Sequence, residues 1–354
     1  MKKILILGGC GFVGANLSLY FAEKGYKVTA FDNLARRGSE YNLDDFKNKG
    51  VKFVHGDIRC KEDFDNLGTF DAICECSAQP SAIDGYNNPY YDFSNNTLGL
   101  FNVLEFARKQ ENKPAVIFWS TNKVYSGDKI NSFELYESDT RYRWILQESS
   151  TKGWDSRYGF SNEFSIDGGQ HSIYGMSKVM SDLACQEYFD AFGVKTVVNR
   201  FSCLAGPRQW GKSAQGWVAW WAIAAMFNLP LVYIGWKGKQ VRDALFIDDI
   251  CKLVEMEIDS IDKVKGQVFN IGGGKDISLS LIEATSLVER EFNRKMKISI
   301  IEEPRKADHV IYISDIRKIK EAIGWEPKIG VEEGYQQIIR WVTNNVELLT
   351  KLYL

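Results

Sequence analysis

From its N-terminus the chain alternates short apolar runs with longer stretches in which apolar residues return every three or four positions. KILILGG, YKVTAFD, VKFVHGD, FDAICECSA, AVIFWST and VKTVVNR each read as a strand. Between them ANLSLYFAEKG and NTLGLFNVLEFARK carry the helical period. Strands that alternate with helices predict βαβ units, and so an α/β fold built on a doubly wound parallel sheet of Rossmann type. Beyond Arg200 the rhythm loosens into QGWVAWWAIAAMFN and a strand-turn pattern, LVYIGWKGKQVRDALF. VFNIGG reads as one more strand returning to the sheet. From Asp276 onward, helices and a short KISII strand suit a smaller mixed α/β C-terminal domain. The expected division gives residues 1–200, with returning segments near 240–275, to the larger domain, and 201–239 with 276–354 to the smaller. Ser126–Ser172 shows no clear period but is rich in aromatic residues, including Trp144 and Trp154, and is expected to be an ordered active-site loop.

Composition narrows the class. A formal charge of -2 over 354 residues lacks the basic excess that nucleic acid or an anionic membrane surface would call for. No apolar run approaches the roughly 20 residues of a membrane span. MKKILILGG begins like a signal peptide but breaks into glycines too soon, so it is read as the first strand of a cytoplasmic protein. The seven cysteines are scattered, and Cys74 and Cys76 lie in a strand-like run as buried thiols. His55, His171 and His309 are too far apart for a ligand set, so no metal site is expected.

Gly8, Gly11 and Gly14 fall between the first strand and the first helix. Glycines so placed allow a tight turn and a close backbone approach to pyrophosphate, which then rests on the helix N-terminus. Asp32 closes the second strand about 20 residues further on, where a carboxylate accepts ribose hydroxyls and repels a 2′-phosphate. NAD is therefore expected rather than NADP, although Arg36 and Arg37 just beyond could receive that phosphate. Phe12, Val13 and Asn33 join this group, and Asp57 with Ile58 would hold the adenine, unless they form a plain strand-end turn.

Tyr174 and Lys178 stand at i and i+4, on one face of a helix. A phenol near pKa 10 is a weak base at neutral pH. A neighbouring ammonium, aided by the charge of the nicotinamide ring, is expected to lower it until it can take a proton from a sugar hydroxyl.

With these residues in view, the chain resembles the extended short-chain dehydrogenase/reductase family over nearly its whole length. GGCGFVG, FDNL, HGDI, the helix start Asn96-Thr-Leu-Gly99, STNKVY, YGMSK, GPRQ, KQVRD, FNIGG and PRKAD carry the likeness. STNKVY, QGWV and GKQVRD carry a narrower one, to the family's NAD-dependent 2-epimerases of CDP-linked dideoxyhexoses of the paratose and tyvelose type. The resemblance implies tightly held NAD and a nucleotide-sugar substrate between two domains. It implies Thr121, Tyr174 and Lys178 as the catalytic group, with Lys178 also on the nicotinamide ribose. Arg208, Gln209, Arg242, Arg305 and Asp308 would bind substrate, surface ion pairs being the plainer alternative for the arginines. It also implies a homodimer paired through the helix after Asn96 and the helix of Tyr174. Cys203 replaces a polar residue common in relatives. Trp217, Trp220 and Trp221 would either line the sugar pocket or pack a helix.

In the family's 4,6-dehydratases the threonine is followed by Asp and Glu, which carry out elimination. Here Asn122 and Lys123 follow Thr121. An amide has no useful pKa and a lysine reverses the charge, so dehydration is disfavoured and reversible hydride transfer remains. Asn122 is expected to contact substrate; Lys123 has no assigned role. The competing readings are another redox enzyme of the same fold, a 4-epimerase or a net dehydrogenase, and a non-catalytic NAD-binding regulatory protein.

Overall fold

The computed structural model describes all of residues 1–354 except Ser149 and Ala214. Seven strands form the main sheet: β1 (Lys3–Leu7), β2 (Lys27–Asp32), β3 (Lys52–His55), β4 (Ala72–Glu75), β5 (Ala115–Thr121), β6 (Lys195–Phe201) and β7 (Gln267–Ile271). Their order is β7-β6-β5-β4-β1-β2-β3, and every pairing is parallel. The doubly wound sheet expected from the pattern is present. The order reverses between β1 and β4, and ligands of such sheets settle outside the strands' carboxyl ends at that switch.

The apolar runs are continuous because both faces are covered, as parallel sheets require. Ile4 and Ile6 face a core shared with α1 (Phe12–Glu23), while Leu5 and Leu7 face one shared with α2 (Gly99–Lys109) and α3 (Ile173–Phe192). All four side chains are fully buried. At about 25 cal/mol per Å² of apolar surface, each contributes on the order of 2 kcal/mol before chain entropy is charged against it.

The second core gathers around α4 (Trp217–Phe227), with the helices Leu281–Glu291 and Val331–Asn344 packed on it. Val241–Phe246 pairs with Cys203–Ala205, Ser278–Ser280 and Ile311–Tyr312 in a separate small sheet. The chain then re-enters the main core through α5 (Ile247–Asp259) and β7, and Ile319 and Trp325 also pack there. Both halves are thus woven from several segments. No helix among the described residues is long and apolar enough to cross a membrane.

The 126–172 segment is ordered, but not as a loop of the cleft. Trp144, Trp154, Phe160 and Phe164 build their own core with Tyr125 and Tyr312. Arg141 donates to Glu283 Oε1 at 2.7 Å and to the Ser278 carbonyl at 2.9 Å, and Asn131 donates to the Asp308 carbonyl at 2.8 Å. None of its described residues lines the cleft. Its aromatic residues bury one another, and it braces the segments that carry the site from behind.

Candidate active site

A cleft of about 460 Å³ opens at the carboxyl ends of the strands, over the switch point. Its first end is made by the glycine turn. Gly8 has φ +66°, and a Cβ there would lie 2.8 Å from the Ser77 backbone; one on Gly14 would lie 2.1 Å from the Gly8 carbonyl oxygen. Helix α1 begins after Gly11 with no side-chain cap, so its first amides are free to bind an anion. Asp32 accepts from the Cys10 amide at 2.9 Å and the Leu34 amide at 2.8 Å, while burial raises its pKa. A dinucleotide fits these features: a cradle without side chains, open helix amides for its phosphates and a carboxylate for its ribose.

Gly8, Gly11, Phe12, Val13, Asp32, Asn33 and Ile58 all line this end. Asp57 does not; it accepts from Asn33 Nδ2 and Arg59 Nε, each at 2.9 Å, and these contacts orient the turn from behind. Arg36 donates to Gln215 Oε1 at 2.7 Å and Arg37 to the Lys351 carbonyl at 2.7 Å. Each spends one nitrogen on the protein, and Arg36 also lines the cleft near Asp32, whose carboxylate is what disfavours a 2′-phosphate.

At the centre lie Thr121, Asn122, Tyr174 and Lys178, all in the cleft wall and at most 9% exposed. Thr121 ends β5, and its hydroxyl accepts from the Lys123 amide at 3.3 Å. Helix α3 starts at a Ser172 cap that accepts from the Gly175 amide at 3.0 Å. A Cβ on Gly175 would stand 2.4 Å from the Lys123 carbonyl oxygen, so glycine lets the helix approach the turn after Thr121. Deeper in, Arg200 donates to both oxygens of Asp182, at 2.9 and 3.0 Å, and Ser120 donates to the same carboxylate at 2.6 Å. This buried pair fixes α3 against β5 and β6, an orienting role more than a stabilising one.

Among the protein's own groups, burial and not Lys178 dominates the Tyr174 pKa. Burial pushes the phenol up to about 12, the Thr121 hydroxyl offsets part of this, and the Asp92 carboxylate adds to it. Lys178 is itself lowered by burial and supported by the charge of Glu75. Its ammonium sits 4.3 Å from the centroid of the Phe118 ring. Desolvation outweighs charge here because both groups are buried in the protein.

The far end is cationic. Lys123 and Arg242 each donate to Asp308 Oδ1 at 2.8 Å. Against the upward push of burial, these two cations hold the Asp308 carboxyl far below its usual range. Arg305 donates to the Ser213 carbonyl at 3.1 Å, but its buried Nε has no partner among the described residues. Lys123, Arg242, Arg305 and Lys306 face the single carboxylate of Asp308, so this wall is strongly cationic. Gln209 also lines it, its Oε1 unpartnered among the described residues. Cys203 accepts from Trp217 Nε1 at 3.4 Å. Trp217 and Trp221 line the cleft, whereas Trp220 packs on Tyr353.

Arg208 is not in the cleft. It turns back to Asn42 Oδ1 at 2.8 Å and Asp45 Oδ2 at 2.7 Å, because its backbone φ of +66° aims it at the helix after β2. Sequence reasoning missed Glu75 and left Lys123 without a role. Lys123 meets a partner 185 positions away, and no local pattern announces such a pair. Among the described residues no cluster of His, Cys, Asp and Glu could hold a metal ion.

A doubly wound sheet, a glycine cradle at its switch point and a buried Thr-Tyr-Lys group define an NAD-linked oxidoreductive enzyme of the short-chain type. Residues 4–272 match the NAD dependent epimerase/dehydratase family, and the chain belongs to that family. NAD is its cofactor, and its chemistry is sugar epimerisation. It is 36% identical to the CDP-paratose 2-epimerase of Salmonella typhi, covering 97% of this chain and 99% of that one. It is 28% identical to a putative UDP-glucose 4-epimerase of Methanocaldococcus jannaschii, over 97% and 99%. Among solved structures, a UDP-glucose 4-epimerase of Thermotoga maritima with UDP-glucose superposes with a TM-score of 0.76 at 25% identity, over 97% and 99%. An epimerase of Methanothermobacter thermautotrophicus gives 0.81 at 24%, over 99% and 94%, a likeness of fold.

Proposed function

We propose that the enzyme inverts C2 of a CDP-linked dideoxyhexose of the paratose and tyvelose type. The carrying observation is the acid inventory of the cleft. Among the described residues only two carboxylates line it, Asp32 and Asp308. Asp32 is held by backbone amides at the cofactor end, and Asp308 is bound by Lys123 and Arg242. Neither is placed to protonate a leaving hydroxyl beside Thr121. Elimination lacks its acid-base pair, whereas Thr121, Tyr174 and Lys178, the group that hydride transfer uses, stand together in the cleft wall. The extent and level of identity to the Salmonella typhi enzyme favour C2 and a CDP carrier.

Bound NAD supplies the hydride acceptor for oxidation and the donor for its reversal. Thr121 would hold the reacting hydroxyl, and Tyr174 would take its proton when bound NAD accepts hydride from C2. Lys178 holds the nicotinamide ribose and stabilises the phenolate. The planar keto sugar then presents its other face, Tyr174 returns the proton, and C2 is inverted without net redox change. Arg305 and Arg242 hold the diphosphate, Arg305 with its unpartnered donor, while Asn122 and Gln209 meet the sugar nucleotide. Asp308 orders the two cations instead of touching the substrate.

The same reading includes a homodimer. Met176, Met180 and Leu183 form an i, i+4, i+7 stripe on α3, each 38–46% exposed, beside Leu98 and Phe101. An apolar stripe of this size suits burial against a second copy. The seven free cysteines suit the reducing cytoplasm.

The test is proton NMR of a nucleotide-sugar panel with the NAD-loaded enzyme. Inversion at C2 of the CDP-dideoxyhexose without accumulating NADH is the expected result. Inversion at C4 of a UDP-hexose, the reading that the Methanocaldococcus jannaschii relative favours, would replace it.

A further inference from the structure

Glu75 ends β4 at the switch point and is 2% exposed. It is paired in register with Leu7 of β1 on one side and Phe118 of β5 on the other. Side chains directly opposite on neighbouring strands share a face, so Glu75 projects into the apolar layer that holds Leu7 and Phe118. A carboxylate in such a layer is strongly disfavoured unless a cation answers it. Its hydrogen bond from the Ser77 amide, at 3.0 Å, is a local turn contact.

The cation that shares this layer is Lys178. Its ammonium lies over the Phe118 ring, the same ring that is register-paired with Glu75, and it is 1% exposed. The other titratable groups facing Lys178 are Asp182, Cys185 and Cys76. Asp182 is occupied by Arg200 and Ser120, and both thiols are held neutral by burial. Glu75 is left as the acid free to balance the lysine. Burial pushes Glu75 up to about 7 against the pull of Lys178, so it is ionised over the alkaline range in which a buried lysine would lose its proton.

We propose that Glu75 is a positioning residue for the reaction: the resident counter-ion that keeps Lys178 charged and aligned behind Tyr174. It touches neither substrate nor cofactor and acts through Lys178. The inference rests on the proposed roles of Tyr174 and Lys178.

The test is the pH profile of kcat on the NAD-loaded full chain. Loss of an opposite charge moves a buried lysine pKa by about one to three units. Glu75→Gln is therefore expected to bring the alkaline limb down by at least about one pH unit, with NAD still bound and the acid limb in place. Glu75→Asp, with the charge retained but withdrawn by one methylene, is expected to fall between. It also serves if the glutamine variant does not fold, since it must then move the limb in the same direction. A limb left unmoved in the folded variants overturns the proposal. Tyr174→Phe and Lys178→Ala keep the two readings apart: if they retain wild-type turnover the assigned roles fail, whereas if they are inactive and Glu75→Gln is normal, only the counter-ion role fails.

Discussion

Lys123 and Asp308 meet at 2.8 Å across the cleft, joining the turn after β5 to the C-terminal half of the chain. The lysine stands where a dehydratase would carry an acid, and its charge is spent on the C-terminal wall of the cleft. Lys123→Met leaves Asp308 with Arg242 as its charged partner and the His309 amide as a second donor. The expected cost is about 1–3 kcal/mol of stability, because a partly buried carboxylate loses one of two charged partners. Thermal denaturation at neutral pH reads it. The pH dependence has a definite sign: the folded Asp308 pKa is depressed, so its contribution is complete above the ordinary carboxylate pKa of about 4 and is lost as pH falls further. Asp308→Asn is therefore expected to flatten the acid side of the stability curve.

Tyr174 should titrate differently with and without cofactor. In the ligand-free chain its phenol is pushed up to about 12 by burial, too high for a base at neutral pH. A positive nicotinamide ring beside it favours the phenolate, so NAD is expected to lower this pKa by one unit or more. Ring-labelled tyrosine NMR, with Tyr174→Phe to assign the signal, measures it. Removing the hydroxyl should lower kcat by about 10²–10⁴-fold while NAD stays bound. Equal titration in the two forms would leave the phenol without its activation.

The strand-helix rhythm, the glycine turn and the Tyr-Lys spacing were legible because each is a local pattern with one physical cause. The strand and first-helix pattern marks the sheet, and GGCGFVG with Asp32 marks one end of the cleft. Arg208 was misplaced because its side-chain direction depends on a left-handed backbone that a sequence motif does not reveal. The 126–172 segment was expected at the cleft for its aromatic content, yet those rings pack on one another and on Tyr312, a partner more than a hundred residues away. Glu75 was hidden within an apolar run, and only the register of β4 against β5 brings it to the Lys178 side of the sheet.

The same misplaced arginine points to a strap over the cofactor end. Arg208 anchors to Asn42 and Asp45, Asn16 donates to the Pro207 carbonyl at 3.0 Å, and Arg36 grips Gln215. A Cβ on Gly38 would lie 3.0 Å from the Trp210 ring, so the strap rests directly on the loop after β2. Cutting an anchor should speed cofactor escape. Arg208→Ala is expected to raise the NAD dissociation rate about tenfold, equivalent to about 1.4 kcal/mol. Residual NAD after gel filtration, and NADH appearing in solution during turnover, both report it. Full NAD retention would mean that the strap only packs.

Arg305 offers the clearest separation of binding from chemistry. Its guanidinium is lowered by burial, it spends one donor on the Ser213 carbonyl, and its Nε is unpartnered among the described residues. A buried donor without a partner is a standing cost that an anionic ligand relieves. A charge-assisted hydrogen bond to a diphosphate is worth about 1.5–3 kcal/mol, so Arg305→Ala should raise KM by about 10–100-fold. The loss should fall on KM and not on kcat, because the diphosphate is held alike in the ground and transition states. Arg305→Lys keeps the charge but not the planar fork, and should recover only part of the affinity. Initial rates over a range of substrate concentrations decide it: a fall in kcat at unchanged KM would move Arg305 from the diphosphate to the reacting sugar.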